Sequence, residues 1–340
     1  MKSIRFGLGL LLLVFAAAGA VAEDALLKYI PSGTEYVVSV DVESLRKLPF
    51  FRNLAESDNS DAKAWREGFE NDWNLRLEDC SELLFAGGGK RLRGMLVATP
   101  VTEKELNGRL GKFGDRFSIS GERGRQLYCL VSNDSIPSQR RTIAATYLEP
   151  GVVLATEREY VAQFLTGLTA PAEARARLVR SPEGAPLAWS YINVQALQAG
   201  TKKKKNDFTG MLLNGIRTIA LNFDVVGDGS AGWRLTGDAL CVDSGSAQMA
   251  AMQFPVLLQL GASMLFMDDP ALGADLLKQV RLAPDKDRVI LELNVSKPLA
   301  DRLGQYLESQ AKKRIAPPDP VPPQTPAAAT AGKTTTKRAD

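Results

Sequence analysis

The sequence contains no histidine among its 340 residues. Histidine is the side chain whose ordinary pKa best suits proton transfer near neutral pH, and it is also the commonest metal ligand in proteins. Its absence excludes Ser-His-Asp and Cys-His catalysis, as well as metal sites that depend on imidazole. Because no other catalytic motif is present either, we predict a protein that is not an enzyme, and the sequence indicates no cofactor.

Cysteine is scarce, with only Cys80, Cys129 and Cys241 in the chain. Three cysteines form at most one internal disulfide, which excludes a small scaffold stapled by disulfides. No Cys-x-x-Cys spacing occurs, so neither a redox pair nor a zinc knuckle is predicted. All three lie in or beside apolar stretches and are interpreted as small buried hydrophobic side chains. Whether one pair is oxidised stays open at this point.

The chain also lacks a strong net charge, since its formal charge is only +3. Proteins that bind nucleic acid usually carry a much stronger basic field, so no nucleic-acid partner is expected. The four lysines at 202–205 are interpreted as a solvated loop, with contact to a membrane surface or an acidic partner as the alternative. Apolar residues make up 45% and charged residues 24%, a balance typical of a chain with a buried core.

The first 22 residues have the layout of a cleaved secretory signal. Lys2 and Arg5 precede an apolar run at 10–18, and the small residues Ala20 and Ala22 follow it. We therefore predict cleavage before Glu23 and an exported protein that is periplasmic or extracellular. The alternative is an uncleaved anchor, but the apolar run is short for a membrane span. No transmembrane span is expected in the mature chain.

The opposite end, at 314–340, is rich in proline, alanine and threonine. Such a composition cannot bury enough apolar surface to offset the entropy lost on ordering, so a disordered tail is predicted.

A weak internal duplication divides the remaining chain. The segment 38–45 matches 190–197, and in both copies a strand runs directly into a helix. We predict a first unit at 23–168, a linker at 169–186 and a second unit at 187–313. Turn signals predict hairpins at 83–98, 117–131, 142–155 and 218–242. The fold class is α+β: two tandem units of antiparallel sheet covered by helices, loosely like split βαβ, ferredoxin-like folds.

Helix starts are predicted from local capping signals. Thr102 and Glu105 form a capping box, and Thr156 with Glu159 forms a second one that predicts a helix reaching residue 168. Asp269 followed by Pro270 predicts another helix start. Helices are also expected at 43–55, 61–73, within 195–213 and at 298–310, with a further strand at 289–295.

The opening at 30–42, with Leu45 and the Pro49-Phe50 pair after it, resembles the start of a group of exported bacterial proteins of unknown function. Those proteins have a signal peptide, a valine-rich first strand and repeated α+β units. The helix start at Asp269 and the strand at 289–295 are similar as well. The resemblance implies location and architecture, and it supplies no catalytic residues.

Several motifs resemble known binding sites but lack a residue or an element that such a site requires. The run 87–90 is Gly-Gly-Gly-Lys, but a strand follows it where a phosphate loop requires a helix. The stretch 224–235 begins like a calcium loop, yet Leu235 stands where a bidentate glutamate is needed. The acid pairs Asp268-Asp269 and Asp285 with Asp287 are interpreted as a helix cap and a turn.

The segment 248–267 is apolar around almost its whole circumference when drawn as a helix. A surface helix is normally polar on half of it. Pro255 and the glutamines argue against a bilayer span. We expect the helix to be buried between the two units, or else to form a surface for a partner or an apolar ligand. The candidate contact residues are Met249, Met252, Phe254, Leu257, Met264, Phe266 and Met267.

These observations favour a non-enzymatic exported protein of the cell envelope, an interaction or structural module whose partner is an unidentified protein or envelope component. Self-association into an oligomer is compatible with the sequence. Two alternatives stay open: an envelope hydrolase that uses carboxylates across a cleft, and a carrier of an apolar ligand with a cavity beside the segment 248–267.

Overall fold

A computed structural model describes residues 26, 28–31, 34–47, 76–88, 92–131, 141–166, 187–200, 213, 215–226 and 232–315. The strands in these ranges are β1 (Tyr36–Asp41), β2 (Glu82–Gly88), β3 (Leu92–Ala98), β4 (Phe117–Glu122), β5 (Arg125–Val131), β6 (Thr142–Glu149), β7 (Val152–Glu157), β8 (Ala188–Asn193), β9 (Ile216–Val225), β10 (Gly232–Cys241), β11 (Val280–Asp285) and β12 (Arg288–Ser296). The α-helices are α1 (Val42–Lys47), α2 (Glu103–Leu110), α3 (Val161–Thr166), α4 (Val194–Gly200), α5 (Ser244–Leu265), α6 (Pro270–Lys278) and α7 (Lys297–Ile315).

The described strands form one antiparallel sheet of 12 strands, in the order β11-β12-β10-β9-β8-β1-β2-β3-β7-β6-β5-β4. The class is mixed α+β, as the turn signals predicted. Strands of the two predicted units join directly, because β1 pairs with β8 in the middle of the sheet. The four predicted hairpins are present as β2–β3, β4–β5, β6–β7 and β9–β10.

The two central strands end in the same way. Asp41 closes β1 and its carboxylate accepts a hydrogen bond from the backbone N–H of Ser44, at 2.9 Å. Asn193 closes β8 and its side-chain oxygen accepts from the N–H of Ala196, at 3.0 Å. Both side chains satisfy an amide that the first turn of a helix leaves without a partner. This is why each strand changes directly into a helix.

Other helix starts test the capping predictions. The box at Thr102 is confirmed, since its hydroxyl accepts from the N–H of Glu105 and the Glu105 carboxylate accepts from the N–H of Thr102. Asp269 caps α6 and Pro270 occupies its first turn, as predicted. The box at Thr156 is wrong: Thr156 belongs to β7, opposite Ala144. The chain continues from that strand as a short 3-10 turn with no side-chain cap.

Strand β11 was not predicted from the sequence. It has six residues, contains Pro284 and is largely exposed at the edge of the sheet. Proline is tolerated there because the outer side of an edge strand has no ladder to complete. The predicted strand at 289–295 is confirmed as β12, and the predicted closing helix is confirmed as α7.

The sheet has helices on both faces in its first half. Successive side chains of a strand point to opposite faces. On one face Val40 and Val97 pack with Leu106 of α2, and on the other Leu84 packs with Phe164 of α3. Trp189 and Tyr191 of β8 join the second of these cores. The core on this face therefore spans both predicted units.

Several predictions lie outside the described residues. These are the leader at 1–22, the linker at 169–186, the helix at 61–73, the lysine run at 202–205 and nearly all of the predicted tail at 314–340. Helix α7 continues through Ile315, two residues into that predicted tail.

Candidate interaction surface

Helix α5 is the apolar segment that the sequence singled out. Its N-cap is Asp243, whose carboxylate accepts from the N–H of Ser246 at 2.7 Å. This backbone hydrogen bond lowers the pKa of Asp243 below its usual value. At the other end the Phe266 ring packs against Tyr306 of α7, with ring centroids 5.2 Å apart. The Tyr306 hydroxyl donates to the carbonyl of Leu265 at 2.7 Å, so both ends of the helix are fixed.

One face of α5 packs on the sheet. Ala247 and Ala250 are buried there, in a core shared with Ala239, Cys241 and Val289. The small alanine side chains let the helix lie close to the strands. Phe254 is partly buried against the same core. The helix is therefore held through a narrow band of its surface.

The opposite face of α5 is exposed and apolar. Its side chains keep half or more of their surface accessible: Met249 56%, Met252 71%, Val256 62%, Leu260 51%, Met264 66% and, in the turn after the helix, Met267 75%. Scattered apolar residues on a surface are ordinary, but a contiguous row is not. The row extends the length of a helix whose 22 residues include no charged side chain. This apolar row is the candidate interaction surface.

The structure divides the residues predicted for this site. Met249, Met252, Met264 and Met267 share the apolar row, whereas Phe266 is buried and belongs to the helix packing. Phe254 and Leu257 lie at intermediate depth. Burial of the whole helix between two units is therefore wrong, because its outer face is accessible.

Val256 and Leu260 complete the apolar row, and the sequence analysis missed both. The signal was present, since Met252, Val256, Leu260 and Met264 follow one another at intervals of four residues. That spacing places them along a single line of a helix.

A polar cavity of about 520 Å³ lies beside the end of α5, between the turn at 268–269 and α7. Arg302 donates to Asp269 at 2.8 Å and to Asp275 at 3.0 Å. Gln310 donates to Asp268 at 2.7 Å. A carrier of an apolar ligand needs an apolar cavity, whereas the lining of this one is predominantly polar. The lining residues are Asp268, Asp269, Arg302, Gln305, Tyr306, Ser309 and Gln310.

The carboxylates at this cavity have structural partners. Asp269 caps α6 by accepting from the N–H of Leu272 at 3.0 Å, in addition to its ion pair with Arg302. The pKa of Asp275 is lowered mainly by its hydrogen bond with Lys278 and to a smaller extent by Arg302. A general acid needs the opposite shift, toward a raised pKa. The second acid pair lies at the β11–β12 turn, where Asp285 is opposite Arg288.

Two aspartates are buried on the sheet, and the sequence analysis predicted the burial of neither. An Asp224 oxygen lies 3.8 Å from an Arg234 nitrogen, and an Asp238 oxygen lies 3.6 Å from an Arg288 nitrogen. The alternation of Arg234, Thr236 and Asp238 along β10 was the signal, since these residues share one face. Paired with arginines on neighbouring strands, the two acids have the arrangement of cross-strand ion pairs.

The described parts of the remaining sequence motifs lie in strands and form no site. Gly87 and Gly88 lie in β2, and Asp224, the first residue of the calcium-like stretch, lies in β9. Among the described residues, no group of three Cys, Asp or Glu side chains is placed to hold a metal ion. Residues 89–91 and 227–231 lie outside the described ranges.

The three cysteines are free and buried, as interpreted from the sequence. Burial raises the pKa of the Cys80 thiol to about 12, which leaves it protonated and unreactive at neutral pH. Burial also raises the pKa of Cys241.

Comparison with known proteins adds little to this picture. No protein-family model matches the chain, and no curated protein sequence matches it. A solved structure of TP0453, from Treponema, is similar with a TM-score of 0.43 and 13% sequence identity. The match covers 83% of this chain and 95% of TP0453. At this level the likeness carries no inference about function. Within the described ranges, none of the helices has the length and apolar character needed to span a membrane.

Proposed function

We propose that this protein is a non-enzymatic, exported module of the cell envelope that binds a partner through the apolar row on α5. The observation that carries the proposal is the row itself: six apolar side chains, each at least half exposed, on and just after a helix without charge. Water contact with so much contiguous apolar surface is unfavourable, and covering it by a partner removes that cost.

The chemistry of the chain supports a role without catalysis. The sequence has no histidine, and of the two acids at the polar cavity Asp269 caps a helix and pairs with Arg302, while Asp268 accepts a hydrogen bond from Gln310. Methionine, which supplies four of the six side chains, is flexible and polarizable and suits an adaptable contact.

Cross-linking inside cells tests the proposed contact. A photoreactive amino acid replaces Met252, which is 71% exposed in the apolar row, and the matched control replaces Ile119, which is 49% exposed on β4. We expect irradiation to give a discrete covalent adduct from position 252 and none from position 119. Absence of any adduct at 252, or equal labelling at both positions, contradicts the proposal.

Export is a second part of the proposal, and the leader-like sequence supports it. Mass spectrometry of the protein recovered from the periplasm or the medium is expected to find Glu23 as the first residue. Recovery there of a chain that begins at Met1 contradicts cleavage, and recovery only from the cytoplasm contradicts export.

We also infer that the sheet arose from two repeated α+β units, now joined at β1 and β8. The strand order from β1 outward is β1-β2-β3-β7-β6-β5-β4, and from β8 outward it is β8-β9-β10-β12-β11, so the first half has two additional strands at its outer edge. In both halves the fourth and fifth strands form a hairpin. Val38 and Ser190, which correspond in the sequence match, are also paired opposite each other. A two-fold relation between the units accounts for this coincidence.

A further inference from the structure

We propose that the partner of the apolar row is a second copy of this chain, with the two α5 helices antiparallel around a two-fold axis. This inference rests on the proposed contact function of α5 and names its partner.

The intervals between successive residues of the row are the same when counted from either end. The successive intervals from Met249 to Met267 are three, four, four, four and three residues. An antiparallel pair whose axis passes between Val256 and Leu260 therefore brings each side chain opposite an apolar one. Within the helix, Met252 faces Met264 of the second copy and Val256 faces Leu260. Met249, at one end of the row, lies toward the turn after α5 of the second copy, which contains Met267. A two-fold interface requires this self-complementarity, and an unrelated partner does not.

Polar side chains beside the row obey the same symmetry. Gln253 and Ser263 lie equally far from the proposed axis, so the pairing that aligns the apolar side chains also brings these two polar groups opposite each other. The Ser263 hydroxyl donates to the carbonyl of Gln259 at 2.8 Å, and its oxygen is still able to accept a hydrogen bond from the Gln253 amide of the second copy.

The charge of α5 favours a second copy over a lipid surface. No acidic or basic residue lies between Ser244 and Met267, so two copies meet without repulsion between like charges. A helix that lies on a membrane typically carries lysine or arginine along its polar face. Here the residues along that edge are Gln248 and Gln259, which carry no charge.

The exposed area agrees with a stable dimer. The accessible fractions of the six side chains correspond to roughly 700 Å² of apolar surface per copy, against about 800 Å² per partner in a standard-size interface. The glutamines and Ser263 at the rim add to this area.

The oligomeric state of the purified protein gives the first test. Sedimentation velocity is expected to find a dimer at micromolar concentration. The double substitution Val256→Gln and Leu260→Gln, at the proposed axis, is expected to raise the dissociation constant about a hundredfold or more. The matched control changes Ile119→Gln and Ile290→Gln, two exposed apolar residues elsewhere on the sheet, and is expected to leave the dimer unchanged. A monomeric parent protein, or a dimer that withstands the α5 substitutions, overturns the proposal.

Disulfide trapping tests the antiparallel register. Met252 and Met264 are twelve residues apart, about 18 Å along a helix. Two chains with Met252→Cys therefore place their new thiols too far apart for a disulfide, which needs Cα atoms within about 7 Å. A mixture of Met252→Cys and Met264→Cys proteins is expected to form cross-linked dimers, and neither protein alone is. The native cysteines are buried and do not interfere. Homodisulfides as abundant as mixed ones overturn the antiparallel arrangement.

Other occupants give different results. If the parent protein is monomeric, it is mixed with vesicles of phosphatidylcholine and phosphatidylglycerol. Co-sedimentation that the Val256→Gln, Leu260→Gln variant loses overturns the dimer in favour of a lipid surface. An adduct at position 252 whose mass is not that of two copies also overturns the dimer, while the contact function of α5 stands. If position 252 gives no adduct of any kind, the contact function itself fails.

Discussion

Single residues are most constrained where two strands leave no room for a side chain. Gly237 in β10 is such a position, because a Cβ there would lie 2.6 Å from the carbonyl oxygen of Ala220 on β9. A backbone atom cannot move aside as a flexible side chain does. Gly108, in α2, has nothing within 4 Å of the corresponding point.

We predict opposite effects of alanine at these two glycines. Gly237→Ala is expected to lower the free energy of unfolding by about 1–3 kcal/mol, because the β9–β10 ladder has to shift. Gly108→Ala is expected to raise it by roughly 0.5–1 kcal/mol, since alanine loses less backbone freedom in a helix. Urea unfolding of both variants beside the parent measures the two signs. Equal destabilisation by both contradicts the close approach at Gly237.

A second residue-scale prediction concerns acid. Burial is the largest single influence and raises the pKa of Asp79, but the hydrogen bonds from Arg109 and from the Arg76 backbone, together with the two positive charges, outweigh it, and the net pKa lies below the ordinary 3.8. A carboxylate with a lowered pKa stabilises the fold fully above its unfolded value and loses that contribution as the pH falls through its folded value. Asp79→Asn is therefore expected to lower the free energy of unfolding by roughly 1 kcal/mol at neutral pH, a modest amount because the ion pair is partly exposed. Well below pH 3.8 the substitution is expected to have almost no effect.

Urea unfolding at several pH values, from neutral to below 3.8, measures this dependence. Asp115→Asn, at an exposed position on the turn Gly111–Arg116, serves as the control. A difference between parent and Asp79→Asn that stays constant across the range would exclude the ion pair as its source.

At the scale of elements, the sequence predicted what local chemistry decides. Alternating apolar residues and turn glycines located the four hairpins, and the capping residues Thr102 and Asp269 located two helix starts. The same logic failed at Thr156, where the capping pattern is present but the residue pairs with Ala144 in the β6–β7 ladder. A four-residue pattern does not detect a pairing with a residue twelve positions earlier in the chain.

The candidate site was predictable in composition but not in orientation. Only six of the 22 residues of α5 are serine or glutamine and none is charged, so no strongly polar face distinguishes the side that is exposed from the side that packs. The deciding residues are Ala247 and Ala250, whose small size lets the helix lie close to Ala239 and Val289. That choice depends on strands far away in the sequence.

An element-scale prediction separates the two sides of α5. Ala250→Asp places a charge at a position that is only 4% exposed. It is expected to lower the free energy of unfolding by several kcal/mol. The variant should therefore be unfolded, or its Tm should fall by more than about 10 °C. Val256→Asp, on the face that is 62% exposed, is expected to leave the fold intact. Far-UV circular dichroism melts of dilute protein measure both. Unfolding by Val256→Asp would place the apolar row in a core.

At the scale of the whole molecule, the central pairing of β1 with β8 makes the two halves share one sheet. One core is shared as well, since Trp189 and Tyr191 from the second half pack with Leu84 and Leu154 from the first. Two repeated units that remained separate would each unfold alone. Because the halves share a continuous sheet and this core, a single cooperative transition is the physical expectation.

Core substitutions at a distance from the junction test this cooperativity. Leu127→Ala in β5 and Leu235→Ala in β10 each remove a buried side chain and are expected to cost about 2–5 kcal/mol. In native-state hydrogen exchange, Leu127→Ala should lower the protection of the β10 amides as much as that of the β3 amides, and Leu235→Ala should do the same in reverse. Calorimetry should give one transition for the parent and for both variants. If each substitution lowers protection in its own half alone, the two halves fold independently. The contacts between β1 and β8 would then merely connect two separate domains.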